Sequence, residues 1–231
     1  MAARFVTGTA GFWQALAPAA SFGGRPEPPY RYGYPARLPS GDYLVLPIRV
    51  LPGDGDRAVA SLIVNHASFP VVRALADFMT ALARPLDAAF VVGLPTLGLA
   101  LAPLVAEGLG HERCIPLGYS RKFWYDEALS VAVRSLTTPD GGKRAYLDPN
   151  IAPLLRGRRV VVVDDAISSG ATVTNVLPLL EGLGATVAGI VVAMRQGNRW
   201  RDALGPVAGR VHGVFDSPML AFTDAGWIPQ E

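Results

Sequence analysis

Wholly apolar runs that alternate with helical segments are the feature that most constrains how this chain can fold. The predicted strands are residues 88–93, 114–118, 160–164 and 185–194. Apolar helical patterns follow the first and third of them, at residues 97–110 and 170–184. Strands that are apolar on both sides are typical of a parallel sheet with helices on both faces. The sequence therefore predicts an α/β fold with a mostly parallel, doubly wound sheet.

Composition limits the class of protein. With 231 residues, half of them hydrophobic, the chain can form one domain with a sizeable core. Lys and Arg number 21 against 19 Asp and Glu, and the basic residues are scattered, so we do not expect nucleic acid as a partner. The apolar stretch at residues 1–20 is too broken by glycine for a secretion signal or a membrane span. The single cysteine, Cys114, excludes an internal disulfide and favours the cytoplasm.

The flanks of this alternation have patterns of their own. Residues 42–51 and 58–67 predict an antiparallel hairpin across a PGDGD turn. Ser68 is a good N-cap, and apolar residues recur at helical spacing after Pro70. The proline-rich residues 18–39 lack any period and predict a surface loop. We expect a single domain over residues 1–231, with its core at about 58–195 and peripheral segments at 1–57 and 196–231.

A long insertion interrupts the alternation between residues 119 and 159. Connections of that length usually serve as lids or binding loops. Within it, residues 129–135 and 143–147 flank TTPDGG, which is a turn signal. The insertion therefore predicts a β-hairpin flap that stands off the sheet.

The third strand leads into the sequence VVVVDDAISSGAT, residues 160–172. Ligands of parallel sheets bind at the carboxyl ends of strands, where a helix N-terminus can hold an anion. Ser168, Ser169 and Thr172 offer hydroxyl donors, and Gly170 lets the backbone approach a phosphate. Asp164 and Asp165 would repel phosphate, so they suit sugar hydroxyls or a divalent metal. An isolated Asp pair would more often be a helix cap, but the joint pattern indicates a sugar phosphate site.

This pattern resembles the donor motif of the type I phosphoribosyltransferases, which is acid-acid-x-x-hydroxyl-hydroxyl-Gly-x-hydroxyl. The resemblance implies that Asp164 and Asp165 hold the ribose of 5-phosphoribosyl 1-pyrophosphate and favour positive charge at C1. It also implies that the turn after them holds the 5-phosphate, through Ala166, Ile167, Ser168, Ser169, Gly170, Ala171 and Thr172.

Two further features of that family occur in the same order along the chain. GLPTLGLALA, residues 93–102, resembles the pyrophosphate loop, and the residues implied are Pro95, Thr96, Leu97 and Gly98. It departs from the family because Thr96 and Leu97 are uncharged where some members carry a lysine, or an acid and an arginine. Arg121 and Lys122 resemble the Arg-Lys that opens the mobile catalytic loop. On local sequence they are equally consistent with a solvated basic pair, and Lys143 and Arg144 are alternative sources of charge for the leaving pyrophosphate.

The family completes its site with a hood from outside the sheet, which holds the base. Both terminal segments carry aromatic residues, and either could form the hood. Trp227 is our choice for stacking on the base, although these aromatics could equally cap the apolar core.

The resemblance implies an enzyme of nucleotide salvage that transfers 5-phosphoribosyl to a nucleobase and releases pyrophosphate. Purine, as in the adenine enzymes, is the favoured acceptor, ahead of orotate or another pyrimidine. Mg²⁺ would be held mainly by the substrate, with Asp164 and Asp165 as the candidate protein ligands, and a homodimer is expected. A non-catalytic sensor of the same donor is the alternative.

Overall fold

The computed structural model of the protein describes residues 7–53, 55–135 and 138–230, with side chains described outside residues 134–142. The strands of this part are β1 (Gly33–Arg37), β2 (Tyr43–Val50), β3 (Arg57–Ala60), β4 (Phe90–Gly93), β5 (Ile115–Pro116), β6 (Ser130–Ser135), β7 (Thr138–Tyr146), β8 (Arg159–Ile167), β9 (Thr186–Gln196), β10 (Val211–Ser217), β11 (Met219–Thr223) and β12 (Gly226–Gln230). Its α-helices are α1 (Phe69–Ala83), α2 (Ala102–Gly108), α3 (Ala171–Gly182) and α4 (Arg199–Leu204). None of them is long and apolar enough to cross a membrane.

A parallel sheet in the order β10-β9-β8-β4-β5 forms the centre of the molecule. Val161 and Val163 of β8 pack with α1 and α2, whereas Val160 and Val162 pack with α3. All four valines are fully buried, because side chains alternate along a strand and helices cover both faces. The predicted α/β fold with a doubly wound parallel sheet is confirmed.

The helix α1 begins where the sequence predicts. The Ser68 hydroxyl accepts a hydrogen bond from the Val71 N–H at 3.4 Å, and Pro70 lies in the first turn. Leu75 and Met79 are buried against the sheet. The helix is therefore fixed by its cap at one end and by an apolar face along its length.

The two terminal segments combine into a second sheet, which is antiparallel and has the order β1-β2-β3-β11-β12. We call it the hood sheet. From the sequence, either segment was expected to form the hood. In the structure both contribute to it, because β3 pairs with β11. The expected loop at residues 18–39 contains β1, so that prediction is wrong in part. The predicted strand at 58–67 ends at Ala60, and a short 3-10 helix follows at Val64–His66.

The parallel sheet extends beyond the predicted core boundary at residue 195. Strand β10 lies in the segment expected to be peripheral, yet it pairs in parallel with β9 from Val211 to Ser217. The C-terminal segment thus supplies the last strand of the central sheet before it enters the hood sheet.

The predicted hairpin in the insertion is present as β6 and β7. It does not stand off the sheet, because Val131, Val133 and Ala145 are buried in the same cluster as α3. Asn175 of α3 also donates a hydrogen bond to the Ala132 carbonyl at 2.8 Å. The turn was predicted at residues 137–142, but β7 already begins at Thr138, and residues 136 and 137 lie outside the described part.

Candidate functional site

Two adjacent carboxylates lie near the carboxyl end of β8. The Asp164 Oδ1 accepts a hydrogen bond from the Asp165 N–H at 2.9 Å. Burial and the charge of Asp165 raise the pKa of Asp164 well above its ordinary value. Burial likewise raises the pKa of Asp165 to about 6. The ionised form of the pair is therefore disfavoured in the free protein, and a bound hydroxyl, cation or developing positive charge would stabilise it.

The turn from β8 into α3, residues 166–172, has the form expected of an anion site. Strand pairing with β9 continues to Ile167, three residues beyond the predicted strand end. Gly170 caps α3 with φ +76°, a left-handed conformation that favours glycine. A Cβ at this position would lie 3.3 Å from the Cβ of Ala203. The turn thus brings Ser168, Ser169 and the first N–H groups of α3 to the mouth of the sheet.

A second loop, residues 94–98 after β4, reaches the same place. The Gly98 N–H donates a hydrogen bond to the Asp164 carboxylate. A Cβ at Gly98 would lie 2.7 Å from the Asp164 Oδ1, so only glycine fits without displacement. The peptide between Pro95 and Thr96 is cis. The two loops that the sequence predicts for one donor are therefore adjacent.

A cavity of about 400 Å³ opens between these loops, the hood sheet and the hairpin. The predicted site residues that line it are Pro95, Thr96, Leu97, Asp164, Asp165, Ala166, Ile167, Ser168, Ser169, Gly170, Ala171 and Thr172. Gly98 contacts Asp164 next to this lining. The structure thus brings together both predicted loops and the Asp pair around one space.

Arg121 and Lys122 lie outside the cavity lining. The Arg121 guanidinium forms an ion pair with Glu127 at 3.1 Å, and the Lys122 ammonium hydrogen-bonds the Ser120 hydroxyl at 3.2 Å. Arg144, one of the alternatives, is held by Ser130 and by the same glutamate. Lys143, the other alternative, lines the cavity.

Trp227 also lies away from the cavity, although it was predicted to stack on the base. It is 1% exposed and packs with Ala58 and Leu220 on the far side of the hood sheet. The Phe222 ring lies 5.0 Å from it. Its large apolar ring therefore anchors β12, which is the core-capping role that the sequence left open.

The cavity has further walls that the sequence analysis missed. Tyr119 lies beside the Asp pair, and its hydroxyl donates to the Pro95 carbonyl at 3.0 Å. Burial and the charges of Asp164 and Asp165 raise the pKa of Tyr119. Its position directly after the predicted strand 114–118 was a usable signal. The remaining missed residues are Arg49, Val59, Ala60, Ser61, Leu62, Ile63, Val133, Val173, Met194 and Gln196.

Several known proteins resemble this chain. The orotate phosphoribosyltransferase of Halorhodospira halophila is 30% identical over 124 residues, which are 53% of this chain and 50% of that protein. The chain thus spans about half the length of that relative. The adenine phosphoribosyltransferase of Parafrankia sp. is 33% identical over 144 residues, 62% of this chain and 72% of that protein.

Solved structures agree at the level of the fold. The adenine phosphoribosyltransferase of Thermoanaerobacter pseudethanolicus superposes with a TM-score of 0.59 at 15% identity, over 74% of this chain and 95% of that one. Residues 64–208 match the phosphoribosyl transferase domain. The matched range contains both loops and the Asp pair. The chain therefore belongs to the phosphoribosyl transferase domain family.

Proposed function

We propose that the protein transfers 5-phosphoribosyl from 5-phosphoribosyl 1-pyrophosphate, the donor, to a ring nitrogen of a nucleobase and releases pyrophosphate. One observation carries the proposal: Asp164 and Asp165, the turn 166–172 and the loop 94–98 line or border the same cavity. A single anion would need only the turn. Two acids between two loops suit a sugar that carries phosphate groups at both ends.

Each part of the donor has a matching part of the site. The turn 166–172 binds the 5-phosphate through backbone N–H groups and the hydroxyls of Ser168, Ser169 and Thr172. Asp164 and Asp165 accept hydrogen bonds from the ribose hydroxyls. The loop 94–98 binds the pyrophosphate mainly through its backbone, because its side chains carry no charge.

The chain's own residues also account for the chemistry. The C1–O bond to pyrophosphate breaks while the base nitrogen bonds to C1, and positive charge develops on the ribose. The ionised Asp pair stabilises that charge, and the two loops fix the geometry of the reacting atoms. Mg²⁺ supplies charge neutralisation on the pyrophosphate when bound. Asp164 and Asp165 offer the hard oxygen ligands it prefers, although the described residues contain no cluster of three or more metal-ligating side chains.

Lys143 is the cation that we assign to the leaving pyrophosphate in the observed arrangement. Its ammonium lies 5.6 Å from the centre of the Tyr119 ring, and the Tyr119 hydroxyl donates a hydrogen bond to the Pro95 carbonyl of the loop. Arg121 and Lys122 remain predicted contributors, but they must leave their present contacts to reach the cavity. The hairpin that carries Lys143 is already docked on α3.

A non-catalytic donor sensor is the second candidate, and the uncharged loop 94–98 favours it. Pyrophosphate release separates the two when it is assayed with adenine, guanine, hypoxanthine, xanthine, orotate and uracil. Turnover with any of them supports the enzyme. Saturable donor binding without turnover of any base leaves the sensor.

We also propose a homodimer that acts in the cytoplasm. The exposed aromatics of the insertion support a contact between copies, since Phe123 is 97% exposed and Trp124 is 47% exposed. Sedimentation of the wild-type protein and of Phe123→Ser tests the dimer. A wild-type monomer at micromolar concentration contradicts it.

A further inference from the structure

Arg49 is a cation on the hood wall of the cavity that no motif predicts. It lies in β2 directly opposite Val59 of β3, and Val59 in turn lies opposite Met219 of β11. Residues paired in this way point to the same face of a sheet. Arg49 and Val59 both line the cavity. The next pair along, Val50 and Ala58, belongs to the opposite face, where Ala58 and Trp227 are buried.

The row Arg49–Val59–Met219 lies at the β9 side of the cavity. Gln196, the last residue of β9, donates a hydrogen bond to the Ala60 carbonyl at 2.7 Å. Met219 lies against Gly197, where an added Cβ would be 3.4 Å from its Cγ. The loop 94–98 follows β4, on the other side of β8. Arg49 is thus carried at the β9 side of the cavity, whereas the loop assigned to pyrophosphate is carried at the β4 side.

The charge of Arg49 is not compensated by the described part of the chain. No carboxylate or carbonyl among the described residues pairs with its guanidinium, and its side chain is exposed. The acids that line the cavity are Asp164 and Asp165. Both lie in β8, and we assign both to the ribose hydroxyls of the donor. The hood wall around Arg49 is mostly aliphatic, through Val59, Leu62 and Ile63, with Ser61 as an uncharged polar neighbour. An unpaired guanidinium in such a wall is suited to an acceptor with paired anionic oxygens.

We infer that Arg49 binds the acceptor base, and that this base presents an anionic oxygen edge. The inference rests on the proposed function. The edge is either the carboxylate of a carboxylated pyrimidine or the ionised oxo edge of a dioxopurine. A guanidinium has five N–H donors and no acceptor, so it cannot pair with the exocyclic amine of adenine, and it binds an anionic oxygen edge more strongly than a neutral ring nitrogen. The inference therefore favours an acidic acceptor over the adenine-like one that the sequence favoured.

Matched pairs of bases isolate this edge. Orotate differs from uracil by its carboxylate, and xanthine differs from hypoxanthine by one oxo group. We expect wild-type kcat/KM to be higher for the acidic member of at least one pair than for its partner and for adenine, and the pair showing it identifies the source of the charge. In Arg49→Met, the kcat/KM of that acidic member should fall roughly 10- to 100-fold, the range of a lost charge-assisted hydrogen bond. Arg49→Lys should restore part of it.

The controls separate this role from donor binding. Arg37→Met changes an exposed arginine of the same sheet that is outside the cavity lining, and it should leave all rates unchanged. The KM for the donor should change less than about twofold in Arg49→Met. An equal loss with every base, together with a raised donor KM, would assign Arg49 to the donor and overturn the inference. Preferred use of adenine with no effect of Arg49→Met would also overturn it.

The inference can fail separately from the proposed function. If no base is turned over, calorimetry measures the binding of orotate, uracil, xanthine and hypoxanthine to the protein saturated with pyrophosphate. If the wild-type protein binds the acidic member of a pair more tightly and Arg49→Met loses this preference, the inference holds although the proposed enzymatic function fails. Equal binding within both pairs overturns the inference.

Discussion

Gly98 packs directly on Asp164: a Cβ at residue 98 would lie 2.7 Å from the Oδ1 of Asp164 and 2.8 Å from its Cα. This contact joins the loop after β4 to the end of β8. It explains why the glycine of a loop and the acid of a distant strand belong to one site. Because one of the contacted atoms is backbone, the neighbour cannot yield by a simple rotation of its side chain.

Gly98→Ala should therefore separate the two loops. We expect a destabilisation of about 1–3 kcal/mol, the usual cost of overpacking, and donor affinity reduced by at least about tenfold. Chemical denaturation and donor calorimetry measure the two effects. Gly209→Ala is the matched control, because a Cβ there meets no atom within 4 Å. Equal donor affinity in Gly98→Ala and Gly209→Ala would contradict the contact.

Asp165→Asn should remove most activity and yet stabilise the free protein at neutral pH. The pKa of Asp165 is raised to about 6, so the folded protein binds more protons than the unfolded chain between pH 4 and 6. Stability must then fall as pH rises through that window. Removing the charge should raise Tm at pH 7 by about 2–4 °C, which is typical of 1 kcal/mol in a chain of this size. A lower Tm at pH 7 than the wild type would refute the electrostatic account.

Donor affinity should depend on the same carboxylate in the opposite direction. Ribose hydroxyls donate to the ionised form, so binding requires proton release below a pKa of about 6. Affinity should fall as pH decreases from 7 to 5, by up to about tenfold per pH unit. Calorimetry across this range measures it, and Asp165→Asn controls for titration of the donor's own phosphate. Parallel pH curves for the two proteins would contradict the assignment.

Substitutions of Lys143 and Lys122 should differ in their effect on pyrophosphate binding. Lys143→Met should weaken binding of inorganic pyrophosphate roughly tenfold or more, because Lys143 lines the cavity. Lys122→Met should weaken it less, since Lys122 bonds to Ser120 outside the cavity lining. Pyrophosphate titration of both variants compares them. The reverse order would show that the insertion moves its Arg121-Lys122 pair onto the ligand.

Local patterns in the sequence were sufficient for the central sheet and the Asp motif. The valines of β8, the acids after them and the glycine that caps α3 are neighbours in the chain, so their spacing carries the geometry. Gly98 could be placed only through the order of motifs in a known family. Its contact with Asp164 crosses from one strand to the next and is visible only in the structure.

Non-local pairing limited the rest of the prediction. Strand β3 pairs with β11, which lies far along the chain, and a single short strand carries no signal for such a partner. Arg49 therefore received no role in the sequence-based prediction, and Trp227 received the wrong one. The face of the hood sheet that each residue occupies depends on that register. Arg121 was predicted to act at the site, but in the structure its guanidinium pairs with Glu127. The local sequence does not decide whether the guanidinium binds that glutamate or a ligand.

The most direct test of the site is a crystal structure of the protein with the intact donor and Mg²⁺. The 5-phosphate should lie within hydrogen-bond distance of the N–H groups of Ser168 to Thr172, and the ribose hydroxyls should contact Asp164 and Asp165. The pyrophosphate should lie against residues 95–98. A donor bound elsewhere, or in the reverse orientation with its pyrophosphate on the turn 166–172, would contradict the account.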